Sequence, residues 1–89
     1  MRAVRLSEQV VTFVRQLPPE SKKRVRSALR DLRDLKGDLK ELESPLDGYC
    51  RLRIFQFRVI VKIHPKSVDC IFIERRSIVY EVFEGDLLG

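Results

Sequence analysis

The chain is 89 residues long and carries 18 Lys and Arg against 13 Asp and Glu, a formal net charge of +5. That length holds one domain and not two, so a single domain over residues 1–89 is expected. With 44% hydrophobic and 35% charged residues, the composition fits a globular chain and excludes a disordered, collagen-like or coiled-coil one.

Residues 2–6 read as a short strand, with Val4 and Leu6 on one face. Ser7 is a good N-cap and Glu8 suits the first turn of a helix, whose apolar face is Val10, Val11, Val14 and Leu17 and which ends at Pro18. Pro19 suits the first turn of a second helix, with Val25, Ala28, Leu29, Leu32 and Leu35 at helical spacing and Gly37 placed to stop it. The Pro-Pro turn between them predicts an antiparallel helical hairpin. From Gly37 to Gly48 the chain is polar and broken by Pro45, with Leu39, Leu42 and Leu46 as tacking points. Strands are expected over Tyr49–Ile54, Phe57–His64 and Val68–Glu74, and Ile78–Phe83 reads as a last strand or a tail packed on the sheet. The expected fold is α+β: a short N-terminal strand, then the helical hairpin packed on one face of a small antiparallel sheet.

Pairing Ile54 with Phe57 and Ile63 with Val68 puts Cys50 and Cys70 opposite Val61, on either side of the central strand. Two strand spacings keep them roughly 9–10 Å apart, too far for a disulfide. Both cysteines read as small buried apolar residues, and His64 as a solvated turn residue beside Pro65. No metal motif, Gly-rich phosphate loop or Ser/His/Asp set is present, so no cofactor and no metal are expected. No apolar run approaches the ~20 residues of a membrane-spanning helix. The stretch from Met1 to Arg5 also lacks the apolar core of a secretory signal, so the expected location is cytoplasmic with no membrane partner.

The cations are unevenly placed. Lys22, Lys23, Arg24, Arg26, Arg30, Arg33 and Lys36 crowd the second helix, while Arg51, Arg53, Arg58 and Lys62 form an acid-free group on the strands. Acids collect at Glu41, Glu43 and Asp47 and again at Glu81, Glu84 and Asp86. The Ile54–Phe57 register sets Arg53 directly against Arg58, with Arg51, Ile60 and Lys62 on the same sheet face. Like charges directly opposite on adjacent strands are destabilising. An anion on that face, above all a nucleic-acid backbone, explains why they stand together. Arg75 and Arg76 add cations, and Tyr80 follows four residues after Arg76, where it half-buries or stacks on a base.

The stretch Leu46-Asp47-Gly48-Tyr49-Cys50-Arg51-Leu52-Arg53-Ile54-Phe55-Gln56-Phe57-Arg58-Val59-Ile60-Val61-Lys62-Ile63, followed by Ile73-Glu74-Arg75-Arg76-Ser77-Ile78-Val79-Tyr80, resembles the RelE/ParE toxin superfamily of toxin–antitoxin systems. The order of strand, helical hairpin and strands agrees along nearly the whole chain. The resemblance implies the toxin of a type II system that enters the ribosomal A site and cuts messenger RNA without a metal, the 2′-hydroxyl attacking the adjacent phosphate to leave a cyclic phosphate. It assigns Arg58 to the scissile phosphate, Arg76 to stabilising charge or the leaving group, Tyr80 to orienting the nucleotide, and Arg51 to the place of a catalytic lysine. Arg53, Lys62, Arg75, Arg26, Arg30 and Arg33 complete the RNA- and phosphate-binding set, with Lys62 and Glu74 as candidate proton acceptors. The implied partners are an acidic antitoxin, the ribosome and messenger RNA. The chain departs from the family at Phe55-Gln56, where Gly-Asp is familiar, and at Arg75, where several ribonuclease members have His. The alternatives are a ParE-like gyrase inhibitor and a catalytically weakened RNA-binding homologue.

Overall fold

The computed structural model describes residues 1–76 and 78–88, and of residues 81, 84 and 86–88 the backbone alone. Thus Ser77 and the side chains of Glu81, Glu84 and Asp86, singled out above, lie outside what is described.

Strand β1 (Ala3–Leu6) leads into helix α1 (Glu8–Arg15). Ser7 caps α1 in extended backbone conformation, its Oγ accepting from the Val10 N–H at 3.2 Å and donating to the Ile71 carbonyl at 2.7 Å. The cap therefore both starts the helix and ties it to a later strand. Helix α2 (Pro19–Asp31) begins with Pro at its first position. It ends before Gly37, in a 3-10 turn over Leu32–Asp34 closed by Leu35 at φ 53°. Gly37 instead opens the next strand at φ 125°, where a Cβ would stand 2.8 Å from Leu52 Cδ1. Only a residue without a side chain brings the chain this close to the sheet.

Three expectations need correction. The polar segment after Gly37 contains a strand, β2 (Asp38–Glu41), paired antiparallel with β3 (Cys50–Ile54). Residues Ile78–Phe83 form no strand: Val79–Leu88 are helix α3, which packs on the sheet as expected of the tail, but as a helix. The sheet is mixed rather than antiparallel: its order is β1-β5-β4-β3-β2, and β1 runs parallel to β5 (Ser67–Arg75). The register of β3, β4 (Phe57–Ile63) and β5 is the one expected, with Ile54 against Phe57, Arg53 against Arg58, Ile63 against Val68, and Val61 against both Cys50 and Cys70. Both cysteines are free.

The sheet separates two apolar clusters. Val10, Val14, Val25 and Leu29 of the hairpin cover Leu52, Val59, Val61 and Ile73 on one face. On the other, Val79 and Phe83 of α3, with Leu46, cover Ile60 and Phe72. Alternation along β3 and β4 thus sends Leu52 and Val59 to the hairpin and leaves Arg51, Arg53 and Arg58 on the α3 face.

Candidate anion-binding cleft

The row that crosses the sheet at Arg53 reads Asp38, Arg53, Arg58, Glu74, one residue from each of β2, β3, β4 and β5. An acid at each end flanks the facing arginines, so the basic face is not acid-free as expected. Asp38 comes from the strand that the sequence did not reveal. Its Oδ1 accepts from Arg51 Nη1 at 3.1 Å and its Oδ2 lies 2.6 Å from Arg53 Nε. The hydrogen bond from Arg51, with the nearby Arg53 charge, holds the Asp38 carboxyl below the usual carboxylate range despite some desolvation.

Arg58 is tethered rather than paired. Its Nη1 donates to the Phe55 carbonyl at 2.6 Å and to the Phe57 carbonyl at 2.8 Å, both at the β3–β4 turn. Burial, then the charges of Arg51, Arg53 and Arg76, lower its pKa from the ordinary value, and Tyr80 offsets part of this. Four guanidinium groups therefore share one electrostatic neighbourhood. An anion seated among them relieves their mutual repulsion and takes bidentate hydrogen bonds. The neighbouring carboxylates Asp38 and Glu74 keep the empty face from being strongly self-repelling, with Glu74 Oε1 accepting from the Arg75 N–H at 3.0 Å.

The physical site is a cleft of about 720 Å³ between α2 and the β3–β4 hairpin, with Arg24, Arg53, Phe55, Arg58 and Arg76 among its walls. Arg76 is set in place by its backbone: its N–H donates to the Gln56 carbonyl at 2.7 Å. Arg24 reaches from α2 to the hairpin tip, its Cζ 4.5 Å from the Phe55 ring centroid. A second recess of about 440 Å³ lies beside the first, with Arg51 and Tyr80 in its walls. Asp38, held by Arg51 and Arg53, is itself a wall of the first.

The structure thus gathers Arg51, Arg53, Arg58, Arg76 and Tyr80 and leaves the other candidates elsewhere. Lys62 lies opposite Asp69, with Nζ 5.6 Å from the Tyr49 ring centroid. Arg75 is paired in register with Phe57 and so projects to the hairpin face. Arg26 and Arg30 border an apolar groove beside Val4, Val11 and Val14, and Arg33 Nε lies 3.9 Å from Asp34. His64, expected to be solvated, sets Nε2 3.1 Å from Asp69 Oδ2. Among the described residues no cluster of three or more His, Cys, Asp and Glu is placed to hold a metal ion, and no helix is long and apolar enough to cross a membrane.

Arg24, Asp38 and Phe55 were not among the expected site residues. Phe55 alone carried a local signal, as a large ring in a two-residue turn where Gly, Asn or Asp is usual.

A five-stranded mixed sheet with a helical hairpin on one face is the fold this chain shares with RelE-like structures. The chain is similar in structure to a chain of the RelBE2 toxin–antitoxin complex of Mycobacterium tuberculosis, with 22% identity, a TM-score of 0.72, and 84% of this chain and 98% of that one covered. A chain of the RelB–RelE antitoxin–toxin complex of Methanococcus jannaschii aligns at 17% identity and TM-score 0.68, covering 89% and 98%. One from the YoeB–YefM complex of Staphylococcus aureus aligns at 16% and 0.66, covering 85% and 98%. No protein-family model matches the chain, and no curated protein matches it.

Proposed function

We propose that this protein is the toxin of a type II toxin–antitoxin system and acts as a metal-independent endoribonuclease on messenger RNA in the ribosomal A site. The observation that carries this reading is the facing pair Arg53 and Arg58, which shares one cleft with Arg76. Supporting it are the structural neighbours, which are components of RelB–RelE, RelBE2 and YoeB–YefM complexes. The partners on this reading are an acidic antitoxin, the ribosome and messenger RNA, all met in the cytoplasm.

In the reaction the 2′-hydroxyl oxygen bonds to the neighbouring phosphorus, the bond to the 5′-oxygen breaks, and a cyclic phosphate remains. Negative charge accumulates on the phosphoryl oxygens and on the departing oxygen. Arg58, fixed by two turn carbonyls, supplies a preorganised donor pair for the former, and Arg76 neutralises the latter. Arginine stays protonated and is a poor general base. The acceptor of the 2′-hydroxyl proton on this reading is Glu74, which faces Arg58 across β4 and β5. Asp38 is the weaker base for that role, because both its oxygens are held by arginines that lower its affinity for a proton. Tyr80, on the first turn of α3, orients the nucleotide.

Among the described residues, the cleft walls contain no histidine or lysine. That observation favours, as the second reading, an RNA-binding homologue of weak catalytic power. Induced expression followed by primer extension on a cellular message separates the two. Codon-phased cuts that fall about 10²- to 10³-fold in Arg58→Ala, with the thermal midpoint of the variant unchanged, support the nuclease. Equal cutting by a folded Arg58→Ala protein refutes the assignment of the site. DNA damage without RNA cuts points to gyrase.

A further inference from the structure

Phe55 stands apart from every other residue of the cleft. It is 63% exposed, and it takes φ 53° at the first position of the β3–β4 turn. A bulky side chain in that backbone region is strained, and an exposed ring gains nothing from the apolar core. Glycine or asparagine would form the same turn more easily. The ring is nevertheless held: the Arg24 guanidinium sits 4.5 Å from its centroid, fixing the orientation of a side chain that is otherwise free to rotate. Around it the cleft presents Arg53, Arg58 and Arg76.

We propose that Phe55, braced by Arg24, is a stacking platform for one base of single-stranded RNA, whose backbone phosphates lie on Arg53, Arg58 and Arg76. This subsite is separate from Tyr80, which borders the neighbouring recess, and it rests on the RNA reading given above. A flat ring beside guanidinium groups matches what a nucleotide offers, a π-face attached to an anion. A protein partner that used Phe55 as an anchor would call for an apolar surround that excludes water, whereas the exposed neighbours here are charged. The arrangement reads no base edge, so it selects unpaired nucleotides over duplex rather than one base over another.

The test measures binding of the full chain to two fluorescein-labelled probes at low salt, a single-stranded RNA hexamer and an abasic ribose–phosphate chain of equal length. Phe55→Ala should weaken the RNA complex about 5- to 100-fold, the range that stacking of a base on an aromatic ring covers, and leave the abasic complex unchanged. Phe55→Trp should restore RNA binding. Phe55→Gly relaxes the turn, so its thermal midpoint should hold or rise while RNA affinity falls as in Phe55→Ala. The platform is overturned if Phe55→Ala binds RNA like the wild type, the outcome expected of a protein-docking ring. It is also overturned if both probes weaken equally, since the ring then merely positions the arginines, or if the wild type binds both probes equally well. A wild type that binds neither probe defeats the RNA reading itself, and the platform with it.

Discussion

Asp38 competes with any phosphate for the same two guanidinium groups. Its oxygens lie 3.1 Å from Arg51 Nη1 and 2.6 Å from Arg53 Nε, so an incoming anion must displace or share them. Asp38→Asn removes the competing charge and is expected to tighten RNA binding about 3- to 10-fold and steepen its salt dependence. Unchanged affinity in an anisotropy titration would show that Arg51 and Arg53 do not meet the RNA. The pH sign follows from the lowered pKa. The pairing is complete above the ordinary carboxylate value of 3.8 and is lost as pH falls through the lower folded value, a dependence that Asp38→Asn abolishes. Arg53 facing Arg58 was legible in the sequence because a two-residue turn fixes the register between Ile54 and Phe57. Asp38 was not, since β2 spans only Asp38–Glu41 with Leu39 as its one partly buried apolar residue, too short for alternation to show.

Helix α1 does more than cover the sheet. Beyond the end of β1, the Gln9 side chain takes the place of a strand: its Nε2 donates to the Ile73 carbonyl at 2.7 Å, and its Oε1 accepts from the Ile73 N–H at 2.9 Å. One amide thereby satisfies both backbone groups of Ile73 on the edge of β5 that lies beyond the β1 pairing. Gln9→Ala should cost about 1–3 kcal/mol in urea unfolding, and an unchanged midpoint would mean that water replaces the amide without loss. No sequence pattern announced this, because an amide reveals its partner only once the sheet exists. Helix α3 was misread for a different reason. Ile78, Tyr80 and Val82 alternate like a strand, and β-branched and aromatic residues favour one. The buried pair is instead Val79 and Phe83, four apart, and packing on Ile60 and Phe72 overrides the local preference.

The molecule divides its sheet between two tasks. The hairpin face holds the larger core and, through α2, one wall of the cleft, while the opposite face is core where α3 lies and bears the facing arginines beside it. On the proposed reading, stability and function are linked through α3, which carries both the core residue Phe83 and Tyr80. The Phe83 ring lies 5.3 Å from that of Tyr49 and 6.0 Å from that of Phe72. Phe83→Ala should cost about 3 kcal/mol by leaving a cavity in this smaller cluster, a large share of what a chain of this length has. A thermal midpoint equal to the wild type would show that α3 is dispensable to the fold. The sheet order β1-β5-β4-β3-β2 also carries a consequence for how the chain is made. Strands β3, β4 and β5 each lie beside the strand that precedes them in sequence, so β2 to β5 add in the order in which they are synthesised. The first strand has no such neighbour, for its only partner in the sheet is the last, with Ala3 against Ser67 and Leu6 against Cys70. Closing so long a loop comes late in folding. The edge that the N-terminal strand supplies is thus the last to be sealed, and until then β5 presents an open edge.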